Sequence, residues 1–441
     1  MTSVSVAGRR LQAWIALRLP QGAIGRIGSL AIASAVGAGV ALSGFNPLNN
    51  AVDVMGVPQA PALVVFTPAV LLALLALVGA RAAPARWSWQ SDVRLVIAGA
   101  VMLAVAAGLS LAASDDLWYS IIIATIAILA PLALAVGVAR SRLPPGLIAG
   151  AFLLACCLML LRADLVFVQL HGLPTPATLY EVKYSNRAYD FHYYTLANPT
   201  GTAAWLLMPL ALALFWATGR ASPSRRVALS LAALLIGISL VLVYSRSALA
   251  LGALLTIAAL LSLPWKPALR HSLVGFSIAA AIAFALTGSN RAYFAAVLST
   301  DPVSSGGERI ATIIDGAGVA LDHPLTGVGL GRYNVETGYI PAHSSVVQAG
   351  AETGLLGAAG LLLLTIAAVL LALRRVRTHG IHDVRTAAAI AVSAYLIYTA
   401  FTAGASEGLY SGYVSVWGLT LGLLFGLAAG GDAPTGDDRA A

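Results

Sequence analysis

The sequence predicts an all-α polytopic membrane protein with about 12 transmembrane helices, from its composition, its apolar runs and its loop charges. Only 10% of the 441 residues are charged and 59% are hydrophobic, whereas soluble domains carry roughly 25% charged residues. The mean hydropathy is +0.86. Many apolar runs reach about 20 residues, the length that lets a helix cross the hydrocarbon core. Helices are expected, because backbone polar groups cannot stay unpaired in lipid.

The apolar runs divide the chain into membrane segments and loops. We predict helices near 27–44, 61–80, 93–113, 117–138, 147–168, 199–218, 227–243, 247–263, 271–287, 353–373, 386–403 and 411–430. The resulting units are N-terminal helices (1–168), a first outer loop (169–198), helices six to nine (199–287), a large outer loop (288–352), the last three helices (353–430) and a disordered tail (431–441). No convincing cleavage site follows the first run, which we interpret as a retained helix.

The basic residues of the loops predict the orientation, because cytoplasmic loops collect Lys and Arg. With the N-terminus inside, 19 of the 26 basic residues fall on the cytoplasmic face. Both termini are then cytoplasmic, and we expect a multi-pass protein of the bacterial inner membrane. The net charge of +8 is explained by this topology and predicts no nucleic-acid partner. The adjacent Cys156 and Cys157 do not suffice for a metal site.

Seven basic residues depart from this cytoplasmic bias: Arg162, Lys183, Arg187, Arg246, Arg291, Arg309 and Arg332. Arg246 lies at a tight outer turn, where an arginine is costly without an anionic partner. A helix N-terminus beside it would complete an anion site. Alternatively, Arg246 snorkels to lipid headgroups.

The large outer loop contains a predicted amphipathic helix of about fourteen residues, most simply lying on the outer membrane surface. Arg309 opens this helix and either pairs with Glu308 or Asp315 or grips a phosphate. His343 lies where the loop re-enters the membrane. It is either a satisfied polar residue or a group that accepts or orients a hydroxyl proton.

Two other outer segments have competing interpretations. The glycines of GVGLG, from Gly327 to Gly331, resemble a nucleotide loop only weakly, and we expect backbone passing close to a membrane helix or a ligand. The first loop is rich in aromatic residues and includes Tyr184 and Arg187. Its aromatic residues form either an interfacial belt or a platform that stacks on sugar rings.

An ordered series of motifs over about residues 185–360 resembles the O-antigen ligase/polymerase superfamily of bacterial membrane glycosyltransferases. The series consists of Asn198-Pro199, SRSA from Ser245 to Ala248, Arg309, HPLTGVGLG from His323 to Gly331, AHSS from Ala342 to Ser345, and ETGLLG from Glu352 to Gly357. The resemblance implies a GT-C-like architecture with the large periplasmic loop between helices nine and ten.

Members of that family move a glycan from undecaprenyl diphosphate to an acceptor hydroxyl at the periplasmic face, without a metal or other cofactor. The resemblance places their two key arginines and their loop-end histidine on Arg246, Arg309 and His343. We expect substrate-binding roles for Arg187, Asn198, Tyr184, Arg332 and Glu352. The expected partners are the lipid-linked donor, a lipid-linked glycan or lipid A core acceptor, membrane lipids, a flippase and a chain-length regulator.

Three functions remain open at this point. A polymerase would extend a lipid-linked chain, and this is the hypothesis that we favour. A ligase would transfer the finished glycan to lipid A core or a similar acceptor. A transporter of an anionic solute is the alternative from another class, but transporters tend to carry midplane charges, broken helices and inverted repeats. Here the polar groups gather on the outer face instead.

Overall fold

The computed structural model describes residues 23–42, 91–141, 143–175, 178–179, 199–219, 222–263, 271–272, 274–275, 278, 305–338, 342–381, 383–401 and 414–430. Every regular element among these residues is helical. The α-helices are α1 Ala23–Leu42, α2 Ser91–Leu111, α3 Leu117–Ala124, α4 Ala130–Arg140, α5 Pro145–His171, α6 Pro199–Ala217, α7 Pro223–Val243, α8 Arg246–Ser262, α9 Ser305–Asp322, α10 Tyr333–Thr337, α11 Ser345–His379, α12 Val384–Phe401 and α13 Val414–Ala429. A π-helical turn, Thr125–Leu129, joins α3 to α4.

Each predicted membrane segment that falls on described residues coincides with one of these helices or, near 117–138, with α3, the π-turn and α4 together. The segment near 61–80 lies outside the described residues, as does most of the segment near 271–287. Among the described helices, 4 are long and apolar enough to cross a membrane: α2, α5, α7 and α11. The all-helical membrane class is therefore confirmed, while the count of twelve spans stays a prediction.

Helix α6 lies at the centre of the bundle. Every residue from 201 to 213 is buried, and the helix packs against α7, α8 and α12. A helix that is apolar on all sides belongs in an interior. The indole N–H of Trp205 donates to the hydroxyl of Thr420 on α13 over 3.0 Å. The one strong donor of this buried indole is thereby satisfied.

The outer helices expose apolar side chains in stripes. These residues include Leu154, Leu158, Leu161 and Leu165 on α5, Leu231, Leu234 and Ile238 on α7, and Leu362, Ile366 and Leu373 on α11. Spacings of three, four and seven residues align them along one side of each helix. A continuous apolar stripe of this kind is unfavourable in water and matches lipid tails.

One end of the bundle carries a cluster of arginines from α11 and α12, which we call the arginine-rich end: Arg374, Arg375, Arg377 and Arg385. Arg375 donates to the carbonyl of Gly430 over 2.8 Å, and Arg385 donates to the same oxygen. Gly430 follows α13, so both arginines satisfy the C-terminal end of that helix. Asp383 lies 4.0 Å from Arg375 and adds a weak ionic contact.

Candidate functional site

The turn between α7 and α8 fixes Arg246 at the first position of α8. Tyr244 ends α7 in the left-handed conformation, with φ 52° and ψ 41°, a strained backbone for a residue with a side chain. Arg246 is only 5% exposed. Its guanidinium carbon lies 5.3 Å from the centre of the Tyr244 ring, within the range of a cation–π contact. The turn therefore holds a buried cation at a helix N-terminus, where the helix dipole favours an anion.

His343 and Arg309 are connected through a threonine on α9. The hydroxyl oxygen of Thr312 lies 3.0 Å from Nδ1 of His343. The same hydroxyl lies 3.0 Å from the backbone carbonyl of Arg309, to which it donates. Thr312 is 4% exposed, whereas Arg309 and His343 are both half-buried. One hydroxyl thus connects the two residues through a single pair of hydrogen bonds.

The last turn of α12 connects His343 with Arg246. The hydroxyls of Ser247 and Tyr398 lie 2.9 Å apart. Ser345 donates to Thr399 over 3.4 Å, and the Ser344 hydroxyl donates to the Ala400 carbonyl over 2.7 Å. Consecutive α12 residues therefore bond to the chain neighbours of both predicted catalytic residues.

These bonds place Arg246 and His343 at the same end of the bundle, which we call the site end: the N-termini of α8 and α11 and the C-terminus of α12. Helix α11 runs from the site end to Arg375 and its neighbours. The site end is therefore opposite the arginine-rich end.

Helix α9 packs on α11 through its small residues rather than through its apolar stripe. A Cβ atom on Gly316 would lie 3.0 Å from the Ala342 side chain and 2.8 Å from Val347, so only glycine allows this approach. In contrast, Ile310 and Ile314 on α9 are 46% and 63% exposed. The predicted amphipathic helix is present, and close packing of its small face brings Thr312 to His343.

Helix α11 is kinked near its start, and the GVGLG segment from Gly327 to Gly331, which we call the glycine segment, packs against the kink. Gly354 has φ 75° inside α11, and the N–H of Leu355 donates to the Pro324 carbonyl over 2.8 Å. Gly327 has φ 62°, and a Cβ atom there would collide with the backbone of Glu352. The expected close passage of the GVGLG backbone beside a membrane helix is therefore observed.

Glu352 lies inside this junction. It is 2% exposed, and its carboxylate accepts from the Gly331 N–H over 2.9 Å and from the Gln348 side chain over 2.6 Å. The carbonyl oxygen of Gln348 accepts from the Ala342 N–H over 2.9 Å. Because Ala342 precedes His343, this network connects the glycine segment with the predicted base. The geometry thus gives Glu352 a supporting position.

The N-terminal half of the chain also holds this junction. The Ser110 hydroxyl at the end of α2 donates to the Glu352 carbonyl over 2.7 Å. The Ser120 hydroxyl on α3 donates to the Leu330 carbonyl over 2.9 Å. Sequence reasoning found only hydropathy in these first helices, yet they support the backbone of the site.

Of the remaining predicted site residues, Arg332 lies within the part of the chain that the structure describes. Arg332 forms an ion pair with Glu336 on α10, with 2.7 Å between Nη2 and Oε1. Tyr184, Arg187 and Asn198 lie outside the described residues, and their roles stay predictions. Among the residues that the structure describes, no group of three or more His, Cys, Asp or Glu side chains could hold a metal ion.

Sequence reasoning missed the residues that hold the site together: Thr312, Gln348 and Tyr398. Thr312 and Tyr398 each bond to a residue of a segment that is distant along the chain, whereas Gln348 bonds to the nearby Ala342. The helical spacing of α9 could have indicated Thr312, because it places Arg309 and Thr312 one turn apart. The sequence offers no comparable signal for Tyr398.

A comparison with protein families identifies a match to the family described as O-antigen ligase over residues 231–362. The matched segment contains Arg246, Arg309 and His343. No curated protein matches the chain. Over this segment, the match confirms the resemblance to the O-antigen ligase/polymerase superfamily, whose members are membrane enzymes of ligase or polymerase type.

Proposed function

We propose that this protein is a metal-independent, inverting glycosyltransferase of the O-antigen ligase/polymerase superfamily. It moves a glycan from an undecaprenyl-diphosphate donor to an acceptor hydroxyl at the periplasmic face of the bacterial inner membrane. The observation that carries the proposal is the shared support of Arg246 and His343, whose chain neighbours bond to consecutive residues of α12. Arg309 joins them through Thr312.

The chemistry requires stabilisation of the departing diphosphate. The acceptor oxygen forms a bond to the anomeric carbon, and the bond from that carbon to the diphosphate oxygen breaks with its electron pair. Two guanidinium groups, Arg246 and Arg309, stabilise the developing negative charge through bidentate contacts. The diphosphate is already a good leaving group, so this electrostatic stabilisation suffices without a metal.

The acceptor hydroxyl must lose its proton as it attacks. His343 accepts that proton or orients the hydroxyl, a contribution of roughly 10²- to 10⁴-fold for a positioned base. Attack from the face opposite to the diphosphate inverts the anomeric carbon. The half-buried His343 is open enough to meet an acceptor, while the 5% exposure of Arg246 suits a group that meets the diphosphate away from bulk water.

The three residues are tested by Arg246→Ala, Arg309→Ala and His343→Ala in cells that lack the native copy. We expect each variant to reach the membrane in normal amount and to lose the polymerised surface glycan. Arg377→Ala is the matched control, because Arg377 is an exposed arginine of the arginine-rich end. Full glycan assembly by any of the three site variants would remove that residue from the mechanism.

The acceptor separates two versions of this function. We favour the polymerase, in which the acceptor is the next lipid-linked repeat. The ligase is the second candidate, because the matched family is described as O-antigen ligase. Electrophoresis of the surface glycan after gene deletion separates them: single repeats on the acceptor indicate a lost polymerase, and an acceptor with no glycan indicates a lost ligase. Solute uptake by proteoliposomes without glycan transfer would instead favour the transporter.

A further inference from the structure

We propose that Thr312 is a positioning residue that fixes the tautomer of His343, with Nδ1 protonated and Nε2 left as the base. This inference rests on the proposed function, in which His343 receives the acceptor proton. It names the ring nitrogen that does so, and it assigns a role to a residue that the reaction does not otherwise use.

The hydrogen bonds of Thr312 set the direction of the proton. A threonine hydroxyl has one proton to donate and two lone pairs to accept with. Thr312 directs its proton to the Arg309 carbonyl at 3.0 Å. Because the hydroxyl has a single proton, we assign the second contact of the same oxygen, 3.0 Å to Nδ1 of His343, as a bond that the ring donates. A neutral imidazole that donates from Nδ1 is unprotonated at Nε2, which is then its basic nitrogen.

The surroundings of Thr312 hold this arrangement in place. Thr312 is 4% exposed, so water competes little for either bond. Gly316, one turn later, allows α9 to approach Ala342 and Val347, the residues on either side of the His343 segment. On the other side, the Ser344 hydroxyl bonds to α12. The chain around His343 is therefore held between α9 and α12.

The arrangement also couples the two functional residues of the large loop. The backbone of Arg309 receives the proton that determines which way the His343 ring can donate. A movement of α9 away from α11 would displace Arg309 and release the His343 tautomer together. The cation that meets the diphosphate and the base that meets the acceptor are thus assembled by one helix.

The test compares Thr312→Val, which deletes the hydroxyl at nearly constant volume, with Thr312→Ser, which keeps it. Turnover is measured on purified protein with the undecaprenyl-diphosphate-linked glycan extracted from a deletion strain. Loss of one neutral hydrogen bond predicts a decrease of roughly tenfold in turnover for Thr312→Val, with most of the activity recovered by Thr312→Ser. Should Thr312→Val fail to accumulate, Thr312→Ala deletes the same hydroxyl.

The matched control is Thr365→Val on α11. Thr365 is 8% exposed, and its hydroxyl donates only to the Leu361 carbonyl of its own helix, over 2.9 Å. We expect turnover close to that of the unmodified protein. Equal turnover in Thr312→Val and Thr365→Val would overturn the role of Thr312 while leaving the glycosyltransferase proposal intact. Full turnover in His343→Ala would instead remove His343, and the role of Thr312 with it, from the mechanism, and the absence of transfer by the unmodified protein would remove the proposed function itself.

The pH–rate profile tests the tautomer separately. If Nδ1 donates to Thr312, the hydroxyl oxygen stabilises the protonated ring, and its loss moves the acid limb of the profile to lower pH. If Thr312 donated to Nδ1, its loss would destabilise the neutral ring and move the limb to higher pH. A shift to lower pH in Thr312→Val, reversed in Thr312→Ser, supports the assignment. A shift to higher pH, or an unchanged limb, overturns it.

Discussion

Arginines lie at both ends of the bundle, and they meet helix termini of opposite polarity. At the arginine-rich end, Arg375 and Arg385 donate to the carbonyl of Gly430, which follows α13. The helix dipole is negative at a C-terminus and stabilises a cation there. At the site end, Arg246 is the first residue of α8, where the dipole is positive. The first pair therefore stabilises the fold by itself, whereas Arg246 adds positive charge to a positive terminus and favours a bound anion.

The largest expected effect is on Arg246, whose substitution should separate activity from stability. Loss of the proposed contact between Arg246 and the departing diphosphate predicts a decrease of about 10²- to 10³-fold in turnover for Arg246→Ala. The melting temperature should fall less than in Arg375→Ala, because removing a positive charge from a positive helix terminus offsets part of the loss of the contact with Tyr244. Turnover and thermal denaturation of the same purified sample check both statements.

Arg246→Lys tests the geometry of the same contact. Lysine keeps the charge but cannot make the bidentate contact of a guanidinium group. The turnover of Arg246→Lys should therefore lie between that of the unmodified protein and that of Arg246→Ala. A marked loss of thermal stability in Arg246→Ala would instead make Arg246 a structural residue like Arg375, and the contrast between the two ends would disappear.

The sequence predicted the membrane helices and the unusual position of Arg246, but it did not predict where α11 begins. Hydropathy located the described membrane helices, because a lipid-facing helix must be apolar along most of its length. The distribution of arginines identified Arg246 as misplaced. The start of α11 was missed, since the polar residues Gln348 and Glu352 interrupt the apolar run before 353. Both side chains accept from backbone N–H groups of the preceding loop, Gln348 from Ala342 and Glu352 from Gly331.

The hydrogen bonds that hold the site together could not be predicted from hydropathy or from the distribution of charges. The bond between Ser247 and Tyr398 joins residues separated by 151 positions, and the bond between Ser110 and Glu352 joins residues separated by 242. Single hydrogen bonds of this kind depend on how several helices pack. No local pattern of residues specifies that packing.

At the arginine-rich end, Arg375→Ala should produce the reverse of the Arg246 result. Arg375 is 8% exposed, and loss of its bond to Gly430 predicts a destabilisation of about 1.5–3 kcal/mol, the range for hydrogen bonds of charged groups. Turnover per folded molecule should stay unchanged, because the site lies at the other end of α11. Thermal denaturation checks the first statement, with the exposed Arg377→Ala as the control. A loss of turnover without a loss of stability would contradict the structural role.

The smallest expected effect is on Tyr398, which bears on how strictly the two predicted catalytic residues are held together. Tyr398→Phe removes the bond to Ser247, next to Arg246, and the net value of such a bond is about 0.5–1.5 kcal/mol. Turnover should fall by roughly two- to tenfold on that scale, with KM for the donor less affected than kcat, because the distance between diphosphate and base is what changes.

Tyr395→Phe provides the matched control for Tyr398. Tyr395 lies three residues earlier in α12 and is 1% exposed. Its hydroxyl has no hydrogen-bond partner among the residues that the structure describes. Removing this hydroxyl should leave turnover unchanged and should not lower thermal stability, because an unpaired buried hydroxyl costs free energy. If both phenylalanine variants lost turnover equally, the effect would belong to the packing of α12 in general. If only Tyr398→Phe lost it, the last turn of α12 positions Arg246 relative to His343, and that spacing has no counterpart at the arginine-rich end.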